Sequence, residues 1–338
     1  MRKVKIAQIG TSENSHGNHI FNSLKTQNDI FEIVGYALPE GEETKFPAHV
    51  KAFEGYHKMT VEEILNHPEI EAVTIETEEK YLVKYALLAV AKGKHVHMEK
   101  PGGIHLTDFE KLIAMLKEKQ SVLHLGYMYR YNPCVAELIQ RIRAGELGEV
   151  LSVEAQMSCI HPAKTREWLS EFPGGMMFYL GCHLIDMVLQ IQGLPKNIIP
   201  LNTSTGVDGV DAKDYGMAVF EYKNGVSFVK TSAYEVGGYA RRQLVVIGTK
   251  GTIELKPFEM FGDEPRLLYT GKTEYFNAAW NDSGRFSKSE QYDRYDKMMR
   301  SFAEMVCGEK ENPYSYDYEL TLYRTILEAC GGENDISR

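Results

Sequence analysis

The sequence has little cysteine, and its cysteines are not arranged as a disulfide framework or a zinc site. Five cysteines occur among 338 residues, scattered along the chain without a Cys-x-x-Cys pair. This odd, scattered set is typical of reduced thiols in the cytosol. We therefore expect no metal centre and a cytoplasmic location.

A basic excess and a long apolar run are also absent. The chain carries 38 Lys and Arg against 47 Asp and Glu, a net charge of -9, which argues against nucleic acid as a partner. No segment approaches the roughly 18 apolar residues of a membrane helix, and the amino terminus has no apolar signal core. We expect neither a membrane nor a nucleic-acid partner, and the length predicts two domains.

The first third of the chain alternates predicted strands and helices. Val4 to Ile9 is an apolar run that ends at Gly10, and a helical spacing follows from Gly17. The remaining elements are strands over 31–38, 70–77, 93–98 and 121–126, and helices over 60–65, 79–92 and 106–117. Such alternation predicts parallel pairing with right-handed crossovers. We predict a Rossmann-type, doubly wound dinucleotide-binding domain over residues 1–125.

Beyond Gly126 the pattern changes to runs that alternate apolar and polar residues. Two such runs, 214–222 and 226–234, flank Asn224-Gly225, a strong hairpin signal. The other elements are strands over 148–157, 244–247 and 252–255, and helices over 133–144, 178–192, 288–307 and 318–330. The predicted fold class is α/β, and residues 126–338 should form a substrate-binding and oligomerisation domain with a large, mostly antiparallel open sheet.

One short motif combines an acid, a base and a proline at the end of a strand. Glu99-Lys100-Pro101 follows the alternating residues 93–98, so it should lie at the carboxyl edge of the parallel sheet, where such sheets bind ligands. Pro101 ends the ladder and restricts Lys100 to an extended conformation. A lysine held there can act as a fixed cation beside a ligand. The tripeptide alone also fits a solvated Glu/Lys pair before a turn.

Several further motifs occur in a regular order. The set is Glu99-Lys100-Pro101, Gly126-x-x-x-Arg130-x-Asn132-Pro133, Gly145-Glu146-Leu147-Gly148, Gly174-Gly175 through Gly181-Cys182-His183 to Asp186, and Gly248-Thr249-Lys250-Gly251-Thr252. Together these motifs resemble the glucose-fructose oxidoreductase / inositol dehydrogenase / rhizopine catabolism protein (Gfo/Idh/MocA) family over nearly the whole chain. The resemblance implies a Rossmann domain for NAD or NADP, a second domain whose open sheet forms the substrate site and often the oligomer interface, and a site at the cleft between them.

The resemblance also implies two catalytic roles. Lys100 matches the lysine that contacts the nicotinamide ribose and the reacting oxygen, and His183 matches the acid/base histidine. In alcohol oxidation Lys100 would lower the proton affinity of the hydroxyl, His183 would accept the proton, and hydride would pass to the nicotinamide. A helix-face histidine bonded to a neighbour is the alternative for His183. A metal site is disfavoured because Cys182 and His183 diverge on a helix.

The glycine turn departs from the dinucleotide fingerprint, in which glycines occupy the first, third and sixth positions. Here Gly10 is first, but Ser12 and Ser15 take the other two positions. A longer turn that ends at Gly17 could still bind, with the serines and the helix amino terminus as donors. After the second strand no arginine is present for a 2′-phosphate and Glu40 comes two residues late, so NAD is favoured over NADP.

The catalytic set departs from the family pattern as well. The aspartate four residues before the histidine is replaced by Tyr179, whose neutral phenol cannot stabilise an imidazolium as a carboxylate does, although it can bond a substrate hydroxyl. The predicted catalytic residues are Lys100, His183 and Tyr179. The predicted cofactor-binding residues are Gly10, Ser12, Ser15, Gly17, Thr77, Glu99, Lys100 and Pro101.

The predicted function is an NAD(P)-dependent oxidoreductase that acts on a secondary hydroxyl of a sugar, polyol or sugar-derived acid. Two alternatives stay open: a non-catalytic ligand-sensing or regulatory protein on the same scaffold, and an NAD-dependent glycosidase. The expected partners are a small-molecule carbohydrate or polyol and further copies of the chain, joined through the carboxyl-terminal sheet as a homo-oligomer.

Overall fold

A computed structural model describes residues 1–332 of the chain. The described chain forms two compact units, residues 1–128 with 295–323, and residues 129–294 with 324–332. The predicted division into 1–125 and 126–338 stays a prediction. It differs from the two units chiefly because residues 295–323 pack with the first unit.

The elements are numbered in chain order. The strands are β1 Val4–Ile9, β2 Phe31–Ala37, β3 Ala72–Ile75, β4 His95–Met98, β5 Leu123–Leu125, β6 Val150–Ser158, β7 Asn197–Thr203, β8 Tyr215–Tyr222, β9 Gly225–Ser232, β10 Gln243–Gly248, β11 Thr252–Leu255, β12 Met260–Phe261, β13 Leu267–Tyr269, β14 Gly271–Tyr275, β15 Arg285–Lys288 and β16 Tyr292–Asp293. The α-helices are α1 Gly17–Thr26, α2 Glu42–Lys45, α3 Pro47–Val50, α4 Val61–Asn66, α5 Leu82–Ala91, α6 Leu106–Lys119, α7 Pro133–Arg143, α8 Ala163–Trp168, α9 Cys182–Gln192, α10 Asp296–Val306 and α11 Tyr316–Ala329. Among residues 1–332, none of these helices has the length and apolar character that crossing a bilayer would need.

The first unit is built around a five-stranded parallel sheet in the order β2-β1-β3-β4-β5. All four residues of β3 are buried, as expected for a parallel strand covered on both faces by helices. The strand order changes direction beside β1, and parallel sheets bind ligands at the carboxyl ends of the strands near such a point. The predicted Rossmann sheet is confirmed.

The second unit contains an eight-stranded sheet in the order β15-β14-β11-β10-β6-β9-β8-β7. Its neighbouring strands pair antiparallel except β6 and β9, which are parallel. Helix α9 packs against β6 and β9. The predicted large, mostly antiparallel sheet is confirmed, and α9 carries the predicted catalytic histidine.

The predicted hairpin forms, but its turn is shifted by one residue. Tyr222 lies opposite Gly225 across the β8–β9 pair, so Lys223 and Asn224 connect the strands, rather than Asn224 and Gly225. Gly225 is required for a different reason. A Cβ at this position would lie 1.8 Å from the carbonyl oxygen of Leu151 on β6.

Several elements in the second half of the chain differ from the sequence prediction. The helix predicted over 288–307 begins only at Asp296, because 285–288 pairs with β14 as an edge strand and 292–293 pairs with β13. The helix predicted over 178–192 is divided into a π turn, Met177–Gly181, and α9. Strand β7 was not predicted. It contains Pro200, which is tolerated because β7 is an edge strand.

Candidate active site

The turn between β1 and α1 begins and ends at positions that only glycine fits. Gly10 has a φ of 87°, and a Cβ there would lie 2.3 Å from Thr77 Cγ2. Gly17 is the first residue of α1, and a Cβ there would lie 2.9 Å from the Cβ of Glu76. The turn therefore ends at Gly17, two residues beyond the sixth position of the usual fingerprint.

Two serines close this turn on itself. The Ser12 N–H donates to Ser15 Oγ and the Ser15 N–H donates to Ser12 Oγ, each at 3.1 Å. The Gly17 N–H also donates to Ser15 Oγ, at 3.2 Å. Both serines are buried. Backbone amides that face the phosphate in a glycine-rich turn are thus already bonded to hydroxyls here.

His16 joins the turn to the end of β4. Its backbone N–H and its Nδ1 lie 3.2 and 2.8 Å from Glu99 Oε2. Burial alone would raise the pKa of Glu99, but the charge and hydrogen bond of His16, with the charge of Lys100, hold that pKa well below its usual range. Glu99 is 3% exposed. It is a buried carboxylate that holds the turn, so the solvated Glu/Lys pair is excluded.

Lys100 lies directly after β4 and is 2% exposed. Its peptide bond to Pro101 is cis, and its backbone N–H donates to Glu99 Oε1 at 2.9 Å. The ammonium group is coupled electrostatically to three buried carboxyls, those of Glu76, Glu79 and Glu99. The predicted lysine therefore lies in a buried and strongly acidic environment at the carboxyl edge of the sheet.

Three of the carboxyls at this edge were not predicted as site residues. Glu76 is fully buried, and neither of its oxygens has a hydrogen-bond partner within residues 1–332. Burial, with the charge of Glu99, raises its pKa well above the usual value. Burial also raises the pKa of Glu79 to about 7 and that of Glu42 to about 9. The sequence does contain a signal for Glu76, because this carboxyl directly follows the buried strand β3.

A buried histidine pair lies beside Glu76. His97 Nδ1 and His124 Nδ1 are 2.7 Å apart, and Phe302 of α10 packs against both rings. His97 Nε2 lies 3.5 Å from Glu76 Oε1. Burial lowers the pKa of His97 to about 4 and raises that of Glu76, so burial favours the uncharged form of both groups in this contact.

In the second unit, His183 lies in the first turn of α9 and is 1% exposed. The helix is preceded by the π turn Met177–Gly181, a distortion that occurs often at functional sites. The ring of Tyr129 meets the imidazole edge to face, with centroids 4.9 Å apart at 86°. Tyr129 thus packs against the His183 ring, a contact that the sequence did not reveal.

Tyr179 lies inside the π turn, four residues before the histidine. Its half-exposed ring contacts Trp168 at 5.1 Å and His161 at 6.4 Å between centroids. The second unit thus places Tyr179 in an aromatic group, and a phenol there can present its hydroxyl to a sugar more readily than it can stabilise an imidazolium.

Asp186 pairs with an arginine. Arg130 donates through Nε and Nη2 to its two oxygens, both at 2.9 Å, and Gln190 donates to Oδ2 at the same distance. Arg130 and Asp186 are buried, so the pair anchors α9 inside the second unit. In the part of the chain that the structure describes, no three His, Cys, Asp or Glu side chains converge on a common metal position.

Family models match both halves of the chain. Residues 4–127 match a model described as an oxidoreductase family with an NAD-binding Rossmann fold, and residues 135–254 match the GFO/IDH/MocA C-terminal domain. The chain belongs to the Gfo/Idh/MocA family. It is therefore an oxidoreductase with an NAD(P)-binding Rossmann domain, as predicted.

Relatives with named activities are similar at low identity. The chain is 25% identical over 226 residues to scyllo-inositol 2-dehydrogenase (NADP(+)) IolW of Bacillus subtilis, covering 65% of this chain and 61% of the relative. It is 23% identical over 203 residues to 1,5-anhydro-D-fructose reductase of Ensifer adhaerens, covering 59% and 61%. The matched stretch is thus less than two thirds of either relative.

Solved structures share the fold along their full length. An oxidoreductase from Thermotoga maritima has a TM-score of 0.79 at 18% identity, covering 99% of this chain and 98% of that one. A mutant of KijD10, a 3-ketoreductase from Actinomadura kijaniata solved with TDP-benzene and NADP, has a TM-score of 0.76 at 15% identity and covers 98% of each. At these identities the likeness shows the fold alone, and the roles of the site residues stay predictions.

Proposed function

We propose that this oxidoreductase transfers hydride between NAD and a secondary hydroxyl of a sugar, polyol or sugar-derived acid. The main support is Lys100, a buried cation directly after β4 among carboxyls at the ligand-binding edge of the sheet. The names of the inositol dehydrogenase and the anhydrofructose reductase agree with this class of substrate.

In this proposal two residues act on the substrate hydroxyl. The Lys100 ammonium stabilises the developing alkoxide, and the His183 imidazole accepts the proton. Bound NAD supplies the hydride acceptor. Tyr179 bonds a second substrate hydroxyl, and Tyr129 keeps the imidazole of His183 in one plane.

The cofactor would be held at the carboxyl edge of the first sheet. The residues proposed for this are Gly10, Ser12, Ser15, Gly17, Thr77, Glu99, Lys100 and Pro101. Glycine at both ends of the turn, with no room for a Cβ, supports the close backbone approach that a dinucleotide needs. NAD is proposed over NADP because the segment after β2 carries Glu40, Glu42 and Glu43 without an arginine.

Calorimetric titration with NAD, NADH, NADP and NADPH, followed by turnover on a sugar and polyol panel, tests this proposal. We expect Lys100→Ala to lower kcat about 1,000-fold and to weaken NAD binding as well, because Lys100 is also among the residues proposed to hold the cofactor. Lys92→Ala, an exposed lysine at the end of α5, is the control and should not change kcat. Absence of any turnover, or a fully active Lys100→Ala variant, would refute the proposal.

One observation favours a ligand sensor as the second candidate. The backbone amides of Ser12, Ser15 and His16 are already bonded within the turn or to Glu99, which opposes phosphate binding. Binding of NAD or a sugar without turnover would support a sensor, whereas multiple turnovers would exclude it. The third candidate, an NAD-dependent glycosidase, would release an aglycone with no net reduction of NAD.

We further propose a homo-oligomer formed through the eight-stranded sheet, in a cytoplasmic protein. Its support is the apolar surface on the edge strand β7, where Ile199 and Leu201 are 39% and 52% exposed. Light scattering on the purified chain should give a mass of at least two copies, and a monomer would contradict the assembly.

A further inference from the structure

The turn between β1 and α1 carries a histidine that uses only one of its two ring nitrogens within the protein. His16 lies between Ser15 and Gly17 and is the N-cap residue of α1. Its Nδ1 is 2.8 Å from Glu99 Oε2. Within residues 1–332 Nε2 has no hydrogen-bond partner, and this nitrogen is not enclosed by protein atoms. The side chain is 24% exposed, so Nε2 is accessible to a ligand.

Glu99 determines which nitrogen of His16 carries a proton. Although burial alone would raise the pKa of Glu99, the charge and hydrogen bond of His16 keep that pKa well below its usual range. An ionised carboxylate only accepts hydrogen bonds, so Nδ1 is the donor. A neutral imidazole has a single N–H. Nε2 of His16 therefore becomes a donor only when the ring is an imidazolium, a form that a carboxylate on the other nitrogen stabilises.

The turn around His16 has few backbone donors left for a phosphate. The N–H groups of Ser12, Ser15 and Gly17 donate to serine hydroxyls, and the N–H of Thr11 donates to Glu42 Oε2 at 3.3 Å. Four amides that a glycine-rich turn would offer to a pyrophosphate are thus occupied. A side-chain donor at the start of α1 can take their place.

The groups around the imidazole hold it from two directions. Glu99 bonds Nδ1, and the ring of Tyr295, directly before α10, lies 5.5 Å from the imidazole between centroids. Two further titratable groups are within electrostatic reach. Lys100 acts on His16 through Glu99, whose pKa the charge of Lys100 also lowers. His97 of β4 is buried, and its low pKa owes a smaller part to the charge of His16.

From this geometry we infer that His16, as the imidazolium, donates through Nε2 to the pyrophosphate of the bound dinucleotide and replaces the occupied amides in this role. The inference rests on the proposed function, because it assigns a further residue to the cofactor that this function needs. The position fits a pyrophosphate, which Rossmann domains bind at the turn that precedes the first helix. A hydrogen bond from a cation to a phosphate is about twice as strong as a neutral one.

The inference requires that binding takes up a proton. When His16 is neutral, one proton must enter from solvent at Nε2 for each dinucleotide bound, so the affinity falls as pH rises. Glu79 at the same sheet edge, whose pKa burial raises to about 7, would also retain a proton more strongly beside a phosphate. The proton uptake that belongs to His16 is therefore the difference between the wild type and a variant without the imidazole.

Calorimetric titration of the full chain with NAD and with ADP-ribose tests the inference without turnover. His16→Asn is the test variant, because an asparagine amide can still donate to Glu99 but has no atom at the position of Nε2. At pH 6.5 we expect this variant to bind both compounds about 10- to 100-fold more weakly than the wild type, the contribution of one charge-assisted hydrogen bond. The difference should be smaller at pH 8. His57→Asn, which changes an exposed histidine, should bind as the wild type does.

Titrations at pH 8 in two buffers of different ionisation enthalpy measure the proton uptake. We expect His16→Asn to take up fewer protons than the wild type, by at most one for each NAD bound. His16→Gln, which is also uncharged, replaces His16→Asn if that variant does not fold.

Three results would overturn the inference and leave the proposed function standing: equal NAD affinity of wild type and variant at pH 6.5, equal proton uptake at pH 8, or a loss of affinity for NAD but not for ADP-ribose. The last result would assign His16 to the nicotinamide half, which ADP-ribose lacks. No binding of NAD by the wild type refutes the proposed function itself, so the two failures are distinguishable.

Discussion

Each of the two units contains a cluster of buried ionisable residues, and burial affects the two clusters in opposite ways. In the first unit the acidic edge comprises Glu42, Glu76, Glu79 and Glu99, and only Glu99 has its pKa lowered, through His16. In the second unit Arg130 and Arg242 cannot lose their protons and are paired with Asp186 and Glu259. Buried acids can become neutral by taking up a proton, whereas buried arginines require an anion. The first cluster should therefore respond to pH, and the second to the loss of a partner.

The largest effect should follow from removing an arginine's partner. Asp186→Ala leaves Arg130 charged and buried, so we expect the second unit to lose about 3 to 5 kcal/mol of unfolding free energy. Urea denaturation followed by tryptophan fluorescence measures this, because both tryptophans, Trp168 and Trp280, lie in that unit. The matched variant Arg130→Met/Asp186→Leu should lose much less. A loss below about 1 kcal/mol in Asp186→Ala, the range of exposed pairs, would contradict the comparison.

The second largest effect is the loss of stability that Glu42 causes as pH rises. Its pKa is about 9 in the folded chain and about 4.5 when unfolded, so the folded state holds a proton that the unfolded state has lost. Stability is therefore lost as pH rises from about 4.5 through 9. Glu42→Gln removes this loss and should raise the unfolding free energy by about 2 kcal/mol at pH 7. Glu43→Gln, its exposed neighbour, is the control. A pH-independent difference between wild type and Glu42→Gln would be the contrary result.

The smallest effect is the loss of stability that His97 causes as pH falls. Its folded pKa of about 4 lies below the unfolded value of about 6.5, so the unfolded state takes up a proton first as pH falls. Stability is lost between about pH 6.5 and 4, by about 1 to 2 kcal/mol at pH 5. His97→Gln should show a shallower loss over this window in thermal unfolding curves, and the exposed His105→Gln should follow the wild type. Parallel curves for His97→Gln and wild type would exclude this assignment.

The sequence predicted the features that are determined by residues close together in the chain, such as strand bounds, helix starts and turns. Strand β1 matches its predicted bounds, and the helix predicted over 60–65 forms as α4, capped by Thr60 with Glu63 in a capping box. Gly10 and Gly17 end the turn as the glycine spacing suggested. These features are encoded within a few residues, so one sequence suffices to find them.

Features that depend on distant residues were not predictable. Tyr129 packs against His183 and, with Arg242 and Arg294, donates to Glu259, although these four residues come from separate parts of the chain and share no motif. The edge strands β7 and β15 gain their conformation from pairing with β8 and β14, and tertiary pairing outweighs local propensity in such strands. The acid at position 76 is buried where residues of β1, β4 and α1 meet: its N–H donates to the carbonyl of Ile9, its Oε1 lies 3.5 Å from His97 Nε2, and Gly17 packs against its Cβ.

The brace between His16 and Glu99 limits how the cofactor turn can be re-engineered. Grafting a standard glycine-rich turn in place of residues 10–17 would delete two residues and with them the imidazole that bonds Glu99 Oε2. Burial would then raise the pKa of Glu99, and its carboxyl would lie near that of Glu76, whose oxygens have no hydrogen-bond partner within residues 1–332. A functional replacement of the turn must therefore also replace Glu99 and Glu76. The turn and the residues that follow β3 and β4 have to be changed together.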